Sequence, residues 1–228
     1  HVNLYLSKFQ MKALVDNLTK TITNLKLNQI KTEWGEYYSF TNYNKKAGQS
    51  KTKIVQTIIQ QVKPKTAWDL GANNGYYSRI VSNTGTHTVA FDMDPIAVEK
   101  NYIEIKKSKE TNLLPICVDL TNPTAGYGWL NTERKALLER GPVDIILALA
   151  LIHHFVIGNN ITFQDLARFF AKICKYAVIE FVPKKDSQVK LLLSSREDIF
   201  PDYDEESFEE IFKTYFKLIS KIPVKNSS

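Results

Sequence analysis

Cysteine is scarce in this chain of 228 residues, with only Cys117 and Cys174. Neither stands at metal-ligand spacing from a histidine, which excludes zinc-ribbon and disulfide-scaffold classes and leaves no metal set to propose. Both lie inside apolar runs (LLPICVDL and AKICKYAVIE), so both read as buried, reduced and inert. No apolar run approaches the length of about 20 residues that spans a bilayer. Low-complexity tracts, internal repeats and a recognisable secretory signal are also missing, although a first residue of His1 reads as a processing boundary. The expectation is a cytoplasmic protein with no membrane partner. Glycine is thin as well, nine in all, and nowhere forms the G-x-G-x-x-G loop of a dinucleotide site.

What is present is enough chain for one sizeable domain with a well-buried core. The net charge of +6 is unevenly placed. Residues 1–65 hold eleven lysines against Asp16, Glu33 and Glu36, a local charge of +8, and the rest of the chain is −2. Met11, Leu14, Val15, Leu18, Ile22 and Leu25 recur at helical spacing, so residues 1–50 read as a basic helical arm followed by an aromatic loop, with the main domain over 51–228. A helical pattern runs from Lys51 to Val62. After it, β-rich runs (Thr66–Leu70, His87–Phe91, Leu113–Val118, Val143–Leu151, Tyr176–Val182) alternate with helical stretches (Tyr76–Ser82, Pro95–Lys107, Asn131–Arg140, Phe163–Ile173). A helix near Ser207–Thr214 and a last strand near Phe216–Ile222 follow. That alternation predicts an α/β fold: a doubly wound, mostly parallel sheet with helices on both faces.

The stretch AWDLGANNGYY puts an acid, Asp69, at the end of the first apolar run and two glycines, Gly71 and Gly75, four apart. Asn73 replaces the middle glycine, and none follows Gly75 until Gly85, so an anionic diphosphate fits poorly. A cationic ligand without phosphate fits better. S-adenosylmethionine needs acceptors for an ammonium and for ribose hydroxyls, and close backbone approach. Asp69, Asp92 (VAFDMDP) and Asp119 (PICVDLTNP) fall at three successive strand ends, where an open α/β sheet binds its ligands. Asp94 precedes Pro95 and reads as a helix N-cap.

DLGANNG, FDMDP, VDLTNP and DIILALALIHH, in that order, resemble the motifs of the class I S-adenosylmethionine-dependent methyltransferases, over roughly Lys51 to Val182. EWGEYY, TNYNKK, LALALIHH and IEFVPKKDSQV are similar to a bacterial methyltransferase group related to the nodulation protein NoeA. The resemblance implies a Rossmann-like sheet in which Asp69, Gly71, Asn73 and Gly75 line the methionine end, Asp92 holds the ribose, and Asp119 with Leu120 frames the adenine. It also implies a terminal antiparallel hairpin, of which the sequence offers one strand, so the final strand is expected to be absent from this chain.

For chemistry, His153 and His154 end the fourth run. One of them, His153 first, reads as a general base, against the plainer reading of a structural hydrogen bond. Glu180 is a further candidate beside the pocket or a buried structural carboxylate. Tyr38 and Tyr43 before the core, and Tyr127 and Trp129 after the third run, read as substrate contacts or as packing anchors. No N/D-P-P-Y/F turn follows the fourth run, so a small-molecule or carbohydrate-like acceptor methylated at oxygen is the first expectation. RNA held by the basic arm, and a non-catalytic interaction domain, are the alternatives.

Overall fold

The computed structural model describes residues 5–25, 27 and 45–224. Two compact units divide the chain, residues 1–30 and 31–228. In the first, α1 (Lys8–Asn24) opens on a capping box: the amide of Gln10 donates to Ser7 Oγ, and the amide of Ser7 to Gln10 Oε1.

The second unit begins with α2 (Lys45–Val62), six residues earlier than the sequence pattern suggests. Lys, Ala and Gln favour a helix across this stretch, and Gly48 does not stop it. Five strands follow: β1 (Thr66–Leu70), β2 (His87–Asp92), β3 (Leu113–Cys117), β4 (Val143–Ala148) and β5 (Cys174–Ile179). All their pairings are parallel, in the order β3-β2-β1-β4-β5. The helices between and after them are α3 (Tyr76–Ser82), α4 (Pro95–Ser108), α5 (Phe163–Ile173), α6 (Ser187–Ser194) and α7 (Glu205–Lys213).

Alternation along the strands divides the core. Trp68, Leu70, Ile146 and Ala148 point into a cluster with Leu166, Phe170 and Ile173 of α5 and Phe212 of α7. Ala67, Ile145 and Leu147 point the other way, onto Val55 and Ile59 of α2 and Val81 of α3. A strand buried on both faces must be apolar at every position, which is why the runs look continuous in the sequence. Asp69 breaks that rule and falls on the α2–α3 face. At the opposite end of the sheet, Asp144 accepts from the amides of Lys65 and Thr66 and from Lys175 Nζ, tying β1 to β4. The Lys175 contact, with those amides, holds its carboxyl down at about 2.

Four sequence expectations change. Asn131–Arg140 is not a helix but two single 3-10 turns, Trp129–Asn131 and Leu137–Arg140. Asn131 has a positive φ, Glu133 is spent on the Trp129 amide, and Gly141-Pro142 leaves no room to propagate. Phe216–Ile222 forms no strand among the described residues; Lys221 instead reaches back to Glu205 and Glu209 on α7. The short helix α6 lies in a stretch for which no helix is expected. Cys117 is exposed, because β3 is an edge strand and its last residue faces outward, whereas Cys174 is buried as expected. No helix among the described residues is long and apolar enough to cross a membrane.

Candidate functional site

Strand order reverses at β1, which has β2 on one side and β4 on the other. Crevices in open parallel sheets form at the carboxyl ends of such a pair. Here the chain leaves β1 through a loop whose first two amides, Gly71 and Ala72, both donate to the carbonyl of Phe91 at 2.9 Å. Asn73 has φ +50, the left-handed conformation that asparagine enters more readily than most residues, so it serves where a glycine is commoner. Gly75, φ +78, then caps α3. A Cβ on Gly71 would sit 2.8 Å from Leu151 Cδ1, and one on Gly75 2.4–2.6 Å from the Asn101 side chain. The loop is braced from behind by Arg79, whose guanidinium donates to the Asn74 and Asn101 carbonyls, to Asn101 Oδ1 and to Glu110.

The loop faces a cavity of about 900 Å³. Asp69, Gly71, Asn73 and Asp92 line it on one side, with Asp119 and Leu120 from the segment after β3. Asp69 is 2% exposed and accepts from Ser78 Oγ at 2.6 Å. Burial is the dominant influence on it and raises its carboxyl to about 7; the Ser78 bond and the charge of Lys51 oppose the rise, and Asp92 adds to it. Asp92 accepts from the Asn73 amide at 2.7 Å and from the Asp94 amide at 2.8 Å, and burial raises its carboxyl too. The Met93 amide also bears on this carboxylate, which lines the cavity and has acceptor capacity beyond these bonds. Asp119 is exposed and folds its Oδ1 over the amide and hydroxyl of Thr121. Asp94 caps α4 by accepting from the amides of Ile96 and Ala97, with Pro95 at the first helical position.

Past β4 the backbone turns through Ala150, whose φ of +52 is unusual for a residue with a Cβ, and the turn directs Leu149 to Leu151 to the cavity. The two histidines then separate. His154 lines the cavity, while His153 is 3% exposed and lies behind it, ring centroids 4.1 Å apart, with a buried Nδ1 that has no hydrogen-bond partner among the described residues. Burial, then the neighbouring His154, pushes His153 down to about 3; burial also lowers His154. Both are therefore neutral at physiological pH.

Glu180 is not a lining residue. Its carboxylate is 2.6 Å from Lys51 Nζ, an ion pair between α2 and the residue just past β5. Gly75 supports the loop from behind, away from the cavity. Tyr127 and Trp129 are exposed on a separate turn, where Tyr127 stacks under Arg134, and neither reaches the cavity. Tyr38 and Tyr43 lie outside the described residues. Sequence reasoning passed over α2, which contributes Lys51, Thr52 and Gln56 to the wall, and Tyr76 and Tyr77, which follow the loop. The Thr52 and Tyr76 hydroxyls meet at 3.3 Å and join the two helices.

No family model matches the chain. In sequence it is 32% identical over 218 residues to nodulation protein NoeA of Rhizobium meliloti (strain 1021), across 95% of this chain and 46% of that protein. The chain thus spans about half the length of that curated relative. In structure it is similar to magnesium protoporphyrin IX methyltransferase (ChlM) from Synechocystis PCC 6803 with bound SAH, TM-score 0.53 at 13% identity, covering 90% of this chain and 87% of that one. It is similar also to WbdD, TM-score 0.54 at 14% identity, covering 92% of this chain and 44% of that one.

Proposed function

This chain has the fold of the class I S-adenosylmethionine-dependent methyltransferases, and we propose that it transfers a methyl group from that cofactor to a hydroxyl of a small-molecule or carbohydrate-like acceptor. One observation carries the reading: acids from the ends of three adjacent strands line one cavity beside a tight glycine loop that lacks the G-x-G-x-x-G pattern. The donor set suits a cation bearing a nucleoside. Asp69 would take the ammonium, Asp92 the ribose hydroxyls, and Asp119 with Leu120 the adenine edge. The bound cofactor would supply an already activated methyl group on a sulfonium, leaving the protein to align the acceptor and exclude water.

On the acceptor side, His154 is the residue that would receive the hydroxyl proton. It is neutral, so it can accept, and it lines the cavity that Asp69 and Asn73 also line. His153 would hold its ring in place. Gln56 and Thr52 of α2, with Asn159, offer amide and hydroxyl groups suited to a neutral, polyhydroxylated acceptor.

Titration calorimetry with S-adenosylmethionine, S-adenosylhomocysteine and NAD tests the cofactor. Binding of the first two at micromolar concentration with no heat from NAD is expected; heat from NAD alone, or from none of them, would sink the reading. His154→Ala is expected to leave S-adenosylhomocysteine affinity unchanged while turnover falls by about 10²–10⁴-fold, the usual worth of a general base. Turnover that survives the change would return His154 to a structural role. Methylation of RNA adenine as the only detectable activity would overturn the acceptor assignment and leave the cofactor untouched.

A further inference from the structure

The buried face of α2 runs Val55, Ile59 at four-residue spacing onto Ala67, Ile145 and Leu147. One turn nearer the cavity, the same stripe carries not an aliphatic residue but Lys51, 7% exposed. A lysine there costs free energy unless charge compensates it. Its Nζ lies 2.6 Å from Glu180 Oε2 and 4.8 Å above the ring of Tyr77. Next to Tyr77 in the chain is Ser78, the donor to Asp69. The buried Asp69 on β1 and Lys51 line the same cavity, and the charge of Lys51 lowers the Asp69 carboxyl. The partly buried Glu180 just past β5 pairs with Lys51 from the other direction.

We propose that Lys51 is a cofactor-positioning residue, a buried ammonium shared between Glu180 and Asp69 that keeps Asp69 ionised and able to grip a ligand's ammonium group. The inference rests on the S-adenosylmethionine reading of the cavity. Among the described residues, the groups facing Asp69 are Lys51 from α2, Tyr77 and Ser78 from α3, and Asp92 from the end of β2; Glu180 acts on it through Lys51. His153 and His154, after β4, are neutral and contribute no charge. Of these, Lys51 alone brings positive charge, against the negative charge of Asp92 and the burial itself. Asp69 titrates near neutrality, so the loss or gain of one nearby charge decides its state under working conditions.

The sign follows directly. Protonated Asp69 cannot balance a cation, so affinity falls as pH drops through its midpoint. Removing positive charge moves that midpoint up, and strengthening it moves the midpoint down.

The test is the pH profile of S-adenosylhomocysteine affinity, measured calorimetrically on the wild type, Glu180→Gln and Lys51→Met/Glu180→Gln, with a thermal melt confirming that each is folded. In Glu180→Gln the whole charge of Lys51 acts on Asp69, and the midpoint is expected to fall. In the double variant that charge is gone, and the midpoint is expected to rise by about one pH unit, roughly a tenfold loss of affinity below it. A pair that merely fastens α2 would weaken binding in both variants without opposite shifts, and that result overturns the inference. If the double variant does not fold, Glu180→Gln decides alone: a lower midpoint supports the assignment, and an unchanged or higher one refutes it. A wild type that binds no S-adenosylhomocysteine at any pH would instead remove the cofactor reading, and this inference with it.

Discussion

Gly75→Ala is expected to lower the melting temperature by roughly 6–12 °C, the equivalent of about 3 kcal/mol in a chain of this size. Two costs add. The left-handed conformation at φ +78 disfavours any residue with a Cβ by about 1–2 kcal/mol. The new Cβ also falls 2.4–2.6 Å from three atoms of Asn101, a side chain only 1% exposed, and displacing it costs about 1–3 kcal/mol more. Asn101 has little freedom to yield, because its Oδ1 and carbonyl are both held by Arg79, which also holds the Asn74 carbonyl. The damage therefore spreads along the loop, and S-adenosylhomocysteine affinity is expected to fall with stability. In Gly75→Ala/Asn101→Ala the clash is relieved and the φ strain stays, so part of the loss should return. A shift smaller than about 2 °C in the single variant would mean that α3 can start elsewhere.

The second large effect is expected at Asp92. Asp92→Ala should weaken S-adenosylhomocysteine binding by about 1.5–3 kcal/mol, the range for hydrogen bonds to a charged group, or about 10- to 150-fold in the dissociation constant. The carboxylate acts twice. It anchors the Asn73 and Asp94 amides, so it shapes the glycine loop and the start of α4, and its remaining lone pairs are offered to the ribose. Asp92→Asn separates the two: its amide oxygen can keep one anchor, but the charge is lost. Equal affinities in wild type and Asp92→Ala would show that the ribose sits elsewhere. The apoprotein is not expected to lose stability in proportion. Burial raises the Asp92 carboxyl in the folded state, so its ionised form opposes folding as pH rises through and above its ordinary range.

The central fold was legible because parallel strands covered on both faces write themselves as unbroken apolar runs. Ile145 to Ala148 leaves no polar alternation to misread, and Ala67 to Leu70 is broken only by Asp69, which belongs to the site. The three acids were legible for a related reason, since the end of such a run fixes the ligand edge of the sheet without knowledge of any contact. Lys51 was not legible. A lysine on an amphipathic helix reads as solvated, and only the placement of Glu180 and Tyr77 makes it buried. The choice between His153 and His154 was equally closed to the sequence, because neighbouring residues in a helical turn point in different directions and the sequence does not say which of them faces the cavity. Asn131–Arg140 and Phe216–Ile222 failed for different reasons, the first because positive-φ residues and a proline overrule its propensity, the second because it pairs with no strand among the described residues.

The adjacency of β1 and β4 also has a consequence in time. Thr66 and Asp144, hydrogen-bonded across that pair, are 78 residues apart, whereas β1 reaches β2 through one short helix. Closing the longer loop costs only about 1 kcal/mol more in chain entropy, but long-range parallel pairing is the slow kind of contact to form. The α3 and α4 half of the sheet can assemble from near neighbours, and the crevice cannot exist until the distant strand arrives. A chain caught before that step would hold its glycine loop and all three of its acids with nothing opposite them. Ligand would therefore act late, slowing the departure of β4 rather than speeding its arrival.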